Sequence, residues 1–391
     1  PAYLLDRQKN KVRGLIGSQR GHAREAGDRI VRIRESVRRI LAESRYELPT
    51  SFRSEFLEWL ELAGRGAGAT SLLEAASTGL VNGVIQTKAT LFSEELAWAH
   101  VLLSRQISVL RDFYNCRIEL ETSYWNDDWS GCQKALKTAL TTSGESFWLI
   151  DAEIALRQQF EGLEAQKAYA TAVQDRHKGG LPGYLSFFSS VRNEERSTYL
   201  LFDEDFKDNL ERTKVSRRVK NYLLYKVTRS LEASEASFAN VLQLESGSSV
   251  VDLYETVIDL LQRCVVILGR GSWTTSAIDL LIACEPIGDT RVTKLLRALG
   301  VSGYGSLPTA IEQSRENFSV NLPCDFWQAA WPIVSERNRD GQVNTAQSAA
   351  ARVEKLLLSL VHRDEAFEDS RLQMAKFTRN YSFLRSATAA G

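Results

Sequence analysis

Four histidines, His22, His100, His177 and His362, are spread singly along a chain of 391 residues. Zinc hydrolysis of the HExxH kind needs two imidazoles one helical turn apart with a glutamate between them, and no such spacing occurs. Five cysteines, Cys116, Cys132, Cys264, Cys284 and Cys324, are equally dispersed. Their odd number and the lack of a CxxC pair argue against a zinc knuckle, a dithiol redox motif and a disulfide framework, and fit a reducing cytoplasm. The run Asp203-Glu204-Asp205 offers carboxylates, but adjacent side chains radiate from a helix in different directions and read as solvent-facing. The stretch Gly64-Arg65-Gly66-Ala67-Gly68-Ala69-Thr70-Ser71 leads toward a helix as a phosphate loop does. It lacks the lysine before Thr-Ser and follows no strand, so no nucleotide cofactor is expected there. Gly269-Arg270-Gly271 and Gly303-Tyr304-Gly305 read as turns between helices. No catalytic residue, metal ligand or cofactor emerges from these residue types. An enzyme whose site is assembled from residues distant in sequence stays open.

Binding chemistry has more candidates. Residues 215–229, VSRRVKNYLLYKVTR, interleave Arg217, Arg218, Lys220 and Lys226 with Tyr222 and Tyr225. That mixture can neutralise phosphates and stack bases, and it also suits an amphipathic helix whose cations snorkel past apolar stems. Tyr124-Trp125 with Trp129, and Trp327 with Trp331, are packing anchors that become partner hot spots where they face solvent. Charge sums to zero, 49 basic against 49 acidic side chains, which disfavours a global basic coat for nucleic acid. It is unevenly placed: residues 1–45 carry twelve Arg or Lys against five Asp or Glu, and residues 91–165 carry six against twelve.

The elements that must position these residues are helices. Seven prolines leave residues 50–181 and 183–285 free of helix breakers. Apolar residues recur at three and four, as in Ile30, Ile33, Val37, Ile40 and Leu41, and again in Val250, Leu253, Val257, Leu260, Leu261, Cys264 and Leu268. The lone Asp-Gly pair, Asp340-Gly341, lacks flanking β-branched runs and reads as a loop. Helix starts are expected at Ser71, Ser93 and Ser249, and stops at Gly64, Gly79, Gly179-Gly180 and Gly300. About fifteen helices of ordinary length fit these marks. The fold class is therefore all-α, with stacked helical pairs in a solenoid-like or multi-helix array. No run of 18 apolar residues suggests a membrane span, and no signal peptide is indicated.

Residues 147–173, FWLIDAEIALRQQFEGLEAQKAYATAV, place Leu149, Ala152 and Leu156 on one helix and Ala165, Tyr169 and Ala172 on the next. This spacing resembles a tetratricopeptide-like helix pair, with Glu153 where the family's first helix usually has glycine. The resemblance implies a scaffold that binds protein segments on a concave surface. Residues 280–311, LLIACEPIGDTRVTKLLRALGVSGYGSLPTAI, resemble a helix-hairpin-helix motif. Pro286, Ile287 and Gly288 would form the hairpin, and Val292, Leu295 and Leu296 would anchor the second helix. That resemblance implies phosphate contact by backbone N–H groups, with Arg291 and Lys294 adding charge. Pro286 stands where the family has a glycine and removes one donor, and Glu285 sets an anion beside the site.

The chain divides most readily into an N-terminal helical region, residues 1–180, and a C-terminal one, residues 181–391. The expected function is a non-catalytic, cytoplasmic scaffold or adaptor that binds another protein through Trp125, Trp129 and Tyr169. The alternative is nucleic-acid binding through Gly288, Arg291, Lys294, Arg217, Arg218 and Lys220.

Overall fold

A computed structural model of the chain describes residues 2–18, 26–48, 50–65, 91–125, 128–192 and 199–301. Trp327, Trp331, Cys324 and the expected helix marks at Ser71 and Gly79 lie outside them. Fifteen α-helices and no strand occur among the described residues, in agreement with the all-α expectation.

Three N-terminal helices, α1 (Ala2–Ser18), α2 (Ala26–Glu47) and α3 (Thr50–Arg65), share a core of Leu5, Val12, Val37, Ile40, Phe56, Leu57 and Leu60. Helix α4 (Phe92–Leu103) follows. Here the sequence mark is displaced: Leu91 takes the N-cap position, Glu94 accepts the Leu91 N–H at 3.1 Å, and Ser93 lies inside the first turn. The reciprocal carboxylate contact does not need the serine, because Glu94 satisfies a free amide of the helix start by itself. Gly64, expected to end a helix, lies within α3, which runs on to Arg65.

The next five helices run as successive neighbours: α5 (Ile107–Trp125), α6 (Trp129–Ser143), α7 (Phe147–Phe160), α8 (Leu163–Arg176) and α9 (Leu181–Arg192). Their connections are short, and Gly144, Gly162 and Gly179 adopt φ of 76°, 90° and 70°, conformations that a side chain would strain. Between α5, α6 and α7 pack Cys116, Leu120, Tyr124, Cys132, Ala135 and Leu136. Between α7 and α8 pack Ile150, Ile154, Ala170 and Val173. The Gly179 to Gly183 stretch, where the sequence places a helix stop and the division between its two regions, is a tight corner. Pro182 and Gly183 are buried in the first turn of α9, and a Cβ on Gly183 would meet the His177 carbonyl oxygen at 3.0 Å.

Helices α10 (Tyr199–Arg212), α11 (Arg217–Thr228), α12 (Glu235–Glu245), α13 (Val250–Arg263), α14 (Thr274–Cys284) and α15 (Thr290–Ala298) complete the described chain. One apolar core reaches from Phe92 and Leu96 to Leu296 and Leu299, so it continues across residue 180 where the sequence suggested a division. At its centre lies α13, buried everywhere except at Asp259. A helix buried on all faces must still place its polar residues, and α13 does so by pairing them with neighbours. Ser249 caps it as expected, accepting the Asp252 N–H at 3.1 Å. The Asp252 carboxylate in turn accepts the N–H groups of Phe147 and Trp148 at 2.8 and 2.9 Å, so one side chain of α13 caps α7. The last turn of α13 widens into a π-helical segment, Cys264–Leu268, closed by Gly269 at φ 69°.

Candidate functional site

Two of the three expected partner-binding residues meet on one face. Trp129, the first residue of α6, stacks on Phe160 at the end of α7, with ring centroids 5.1 Å apart and planes 13° from parallel. Its indole N–H donates to the Glu161 carboxylate at 3.1 Å. Glu161 also accepts from the Arg157 guanidinium at 3.0 Å, and Arg157 is held on its other side by Glu153 at 2.8 Å. The same guanidinium lies 5.0 Å from the centre of the Tyr169 ring on α8. Trp129, Phe160, Arg157 and Tyr169 thus form a continuous aromatic and cationic row across three helices, each residue half-buried. Trp125 closes α5 just before α6.

The row is held by charge. Burial disfavours the Arg157 cation, yet Glu153 and Glu161 outweigh it and raise its pKa. Burial, with Glu153 beside the hydroxyl, raises the Tyr169 pKa, so the ring stays a neutral phenol. At the far end of α8, His177 Nε2 lies 2.8 Å from the Glu145 carboxylate, which also pairs with Arg176 at 2.9 Å. Burial would raise the Glu145 pKa, but His177 and Arg176 hold it below the ordinary carboxylate value. Local spacing does not reveal this pair, because Glu145 precedes His177 by 32 residues. Arg157 is not among the expected binding residues, yet it carries a local signal, since Glu153, Arg157 and Glu161 stand at successive i,i+4 positions.

The hairpin corner has the expected outline but another use for its residues. Helix α14 passes through a 3-10 turn, Glu285–Ile287, and Gly288 at φ 85° into α15. The N-terminus of α15 is occupied by its own Asp289, whose carboxylate accepts the Arg291 N–H at 2.9 Å. Arg291 is 5% exposed; its guanidinium donates to Glu255 at 2.7 and 2.9 Å and to Asp289 at 2.6 Å. Arg117 of α5 joins from the other side of Glu255 at 2.9 Å, and Tyr254 donates to Asp289 at 2.8 Å. Burial would raise the Glu255 pKa, but Arg117 and Arg291 together hold it at about 2. The Pro286 carbonyl accepts from Arg111 of α5 at 2.9 Å. The expected phosphate arginine is therefore turned inward as the centre of a buried ion network. Gly288 and Lys294 remain exposed.

The basic helix α11 divides similarly. Arg217 is exposed, while Arg218 bonds Asn240 at 2.6 Å and the Gln243 side chain, and Lys220 pairs with Glu211 at 2.9 Å. Tyr222 and Tyr225 are 1% and 0% exposed, so neither ring offers a face to a base. Among the described residues, no group of three or more His, Cys, Asp or Glu is placed to hold a metal ion, and no helix is long and apolar enough to cross a membrane. Comparison of the chain with protein-family models, curated proteins and solved structures finds no match in any of the three.

Proposed function

We propose that this chain is a protein-binding scaffold or adaptor, built from stacked helices, whose partner docks on the face formed by α6, α7 and α8. The observation that carries this reading is the row Trp129, Phe160, Arg157 and Tyr169. Trp, Tyr and Arg dominate the energetics of protein interfaces because each combines a large apolar area with a directed polar group. Here the row is preorganised: Glu153 and Glu161 fix the guanidinium, and a surface already ordered loses little entropy on binding. Half-burial leaves part of each ring for a partner while the rest anchors it. The tetratricopeptide-like spacing of residues 147–173 points to the same use of α7 and α8.

The test is affinity capture from the native cell, with and without nuclease, comparing the wild type with Trp129→Ala. The expected result is a protein partner that survives nuclease and is depleted about tenfold or more by the substitution, the loss for a hot spot worth about 2 kcal/mol. A nuclease-sensitive catch, indifferent to Trp129, would overturn the reading.

A further inference from the structure

Between α2, α4 and the turn that joins α12 to α13 lies a cavity of about 30 Å³. Its walls are mostly apolar, with Leu41, Trp98, Leu102 and Leu253 among them. The rest is polar: Arg38 of α2 lines it together with Ser246, Gly247 and Ser248 of the turn. Gly247 has no side chain and meets the cavity with its backbone alone. One water needs about 10–15 Å³ of such space, so the cavity takes a small ion or one or two waters and is far too small for a nucleotide.

Arg38 is 3% exposed and has contacts elsewhere in the fold, but its Nη1 is buried and makes no hydrogen bond. A buried guanidinium N–H in that position calls for an acceptor, and a water or an ion is the usual one. Val250, the first residue of α13, also lines the cavity. The first N–H groups of a helix have no carbonyl within it to bond, and they give that end partial positive charge. The carboxylates of the adjoining elements are engaged. Asp252 accepts from Phe147 and Trp148, Glu245 pairs with Lys226 at 3.2 Å, and Glu95 of α4 pairs with Arg45.

We infer that this cavity binds one small monovalent anion, chloride or another of its size, between the Arg38 guanidinium and the start of α13. A helix N-terminus attracts anions, and a guanidinium N–H makes the hydrogen bond to an anion a charge-assisted one. A singly charged ion suits walls that are mostly apolar, because dehydrating a phosphate dianion costs far more than one guanidinium returns. The ion ties α2, part of the N-terminal core, to α13 of the large core, beside the Arg45 bond to Ser246 that already bridges them. The site is independent of partner docking on α6 to α8.

The test melts the full chain at fixed ionic strength while chloride replaces gluconate, an anion too large for the cavity. The expected result is a wild-type midpoint that rises by about 2–3 °C for each tenfold increase in chloride above the dissociation constant, with bromide acting alike. Arg38→Met keeps the apolar stem and removes the charge, and Ala42→Leu fills the cavity from another of its wall residues and leaves Arg38 in place. Each should abolish the rise. Chlorine NMR reads the same site in the native wild type: the protein should broaden the chloride line, and bromide should reverse the broadening. A midpoint indifferent to chloride, a rise of equal size in wild type and variants, or no broadening that bromide reverses overturns the assignment. A rise with phosphate and none with chloride overturns it as well and gives the cavity to an oxyanion.

Discussion

Arg291 shows how far a residue's role depends on what the chain brings beside it. On the surface it would be a phosphate ligand; buried between Glu255 and Asp289 it is a tie among α5, α13 and α15. Removing one member of such a buried network leaves an unpaired charge in low dielectric, so Arg291→Ala should destabilise the chain by about 3–5 kcal/mol, read as a lowered urea midpoint. Lys294→Ala, an exposed position on the next turn, should change it by less than about 0.5 kcal/mol. The same network sets a pH dependence. Glu255 is held at about 2, below its ordinary 4.5, so the unfolded chain binds the extra proton between these values. Its contribution to stability is complete above about pH 4.5 and is lost as pH falls toward about 2. Urea midpoints at pH 7, 4 and 3 should therefore drop more steeply in the wild type than in Glu255→Gln; parallel curves would contradict this. Apart from the local Asp289–Arg291 pair, the tie was not legible in the sequence, because Glu255 stands 36 residues before Arg291 and 138 after Arg117. What the sequence did carry was local: Gly288 for a left-handed turn, and apolar Val292, Leu295 and Leu296 for an anchored helix.

Elements follow the local rules where a side chain can satisfy its own backbone. Ser249 was readable as a cap because its partner, Asp252, is three residues on; that Asp252 also caps α7, 105 residues earlier at Phe147, was not. The displaced start of α4 has the same cause in reverse, since Glu94 does the work expected of Ser93. Ser249→Ala should cost about 1 kcal/mol, a typical capping loss. Asp252→Ala should cost more than Ser249→Ala, because it strips a buried and a partly buried N–H group of α7 and one partner of Lys226, which lies 3.8 Å away. Equal losses in urea unfolding would show that the link between α13 and α7 contributes nothing. Residues 147–173 form two helices joined through Gly162, but the buried residues between them are Ile150, Ile154, Ala170 and Val173. Of the contact residues expected from the spacing, Leu149, Ala152 and Leu156 pack toward α5 and α6 instead and Ala172 is exposed, because the helices are rotated relative to the expected register.

Among the described residues, a large core runs from α4 to α15, with smaller ones under α1 to α3, between α5, α6 and α7, and between α7 and α8. The large core and that under α1 to α3 are joined by the buried pair Arg45 and Glu95 and by the Arg45 bond to Ser246 at 2.7 Å. Four cysteines are buried within this packing; burial pushes the Cys132 and Cys284 thiols up to about 12 and raises those of Cys116 and Cys264. A Cys324→Ser variant should accordingly show no fast thiol labelling at pH 8 until denaturant unfolds it. Rapid labelling of even one thiol in the native state would contradict that packing. At this scale composition and periodicity foretold the all-α class. They did not foretell the continuity of the core across residue 180, which depends on contacts far apart in sequence. The account's central claim is that the face of α6 to α8 binds protein. Its most direct test places a photo-crosslinking residue at position 130, 168 or 294, beside the row and at the hairpin corner, in the native cell and identifies the adducts after nuclease treatment. The account predicts protein adducts at 130 and 168 and few at 294. Adducts to nucleic acid at 294, with none at 130 or 168, would contradict it.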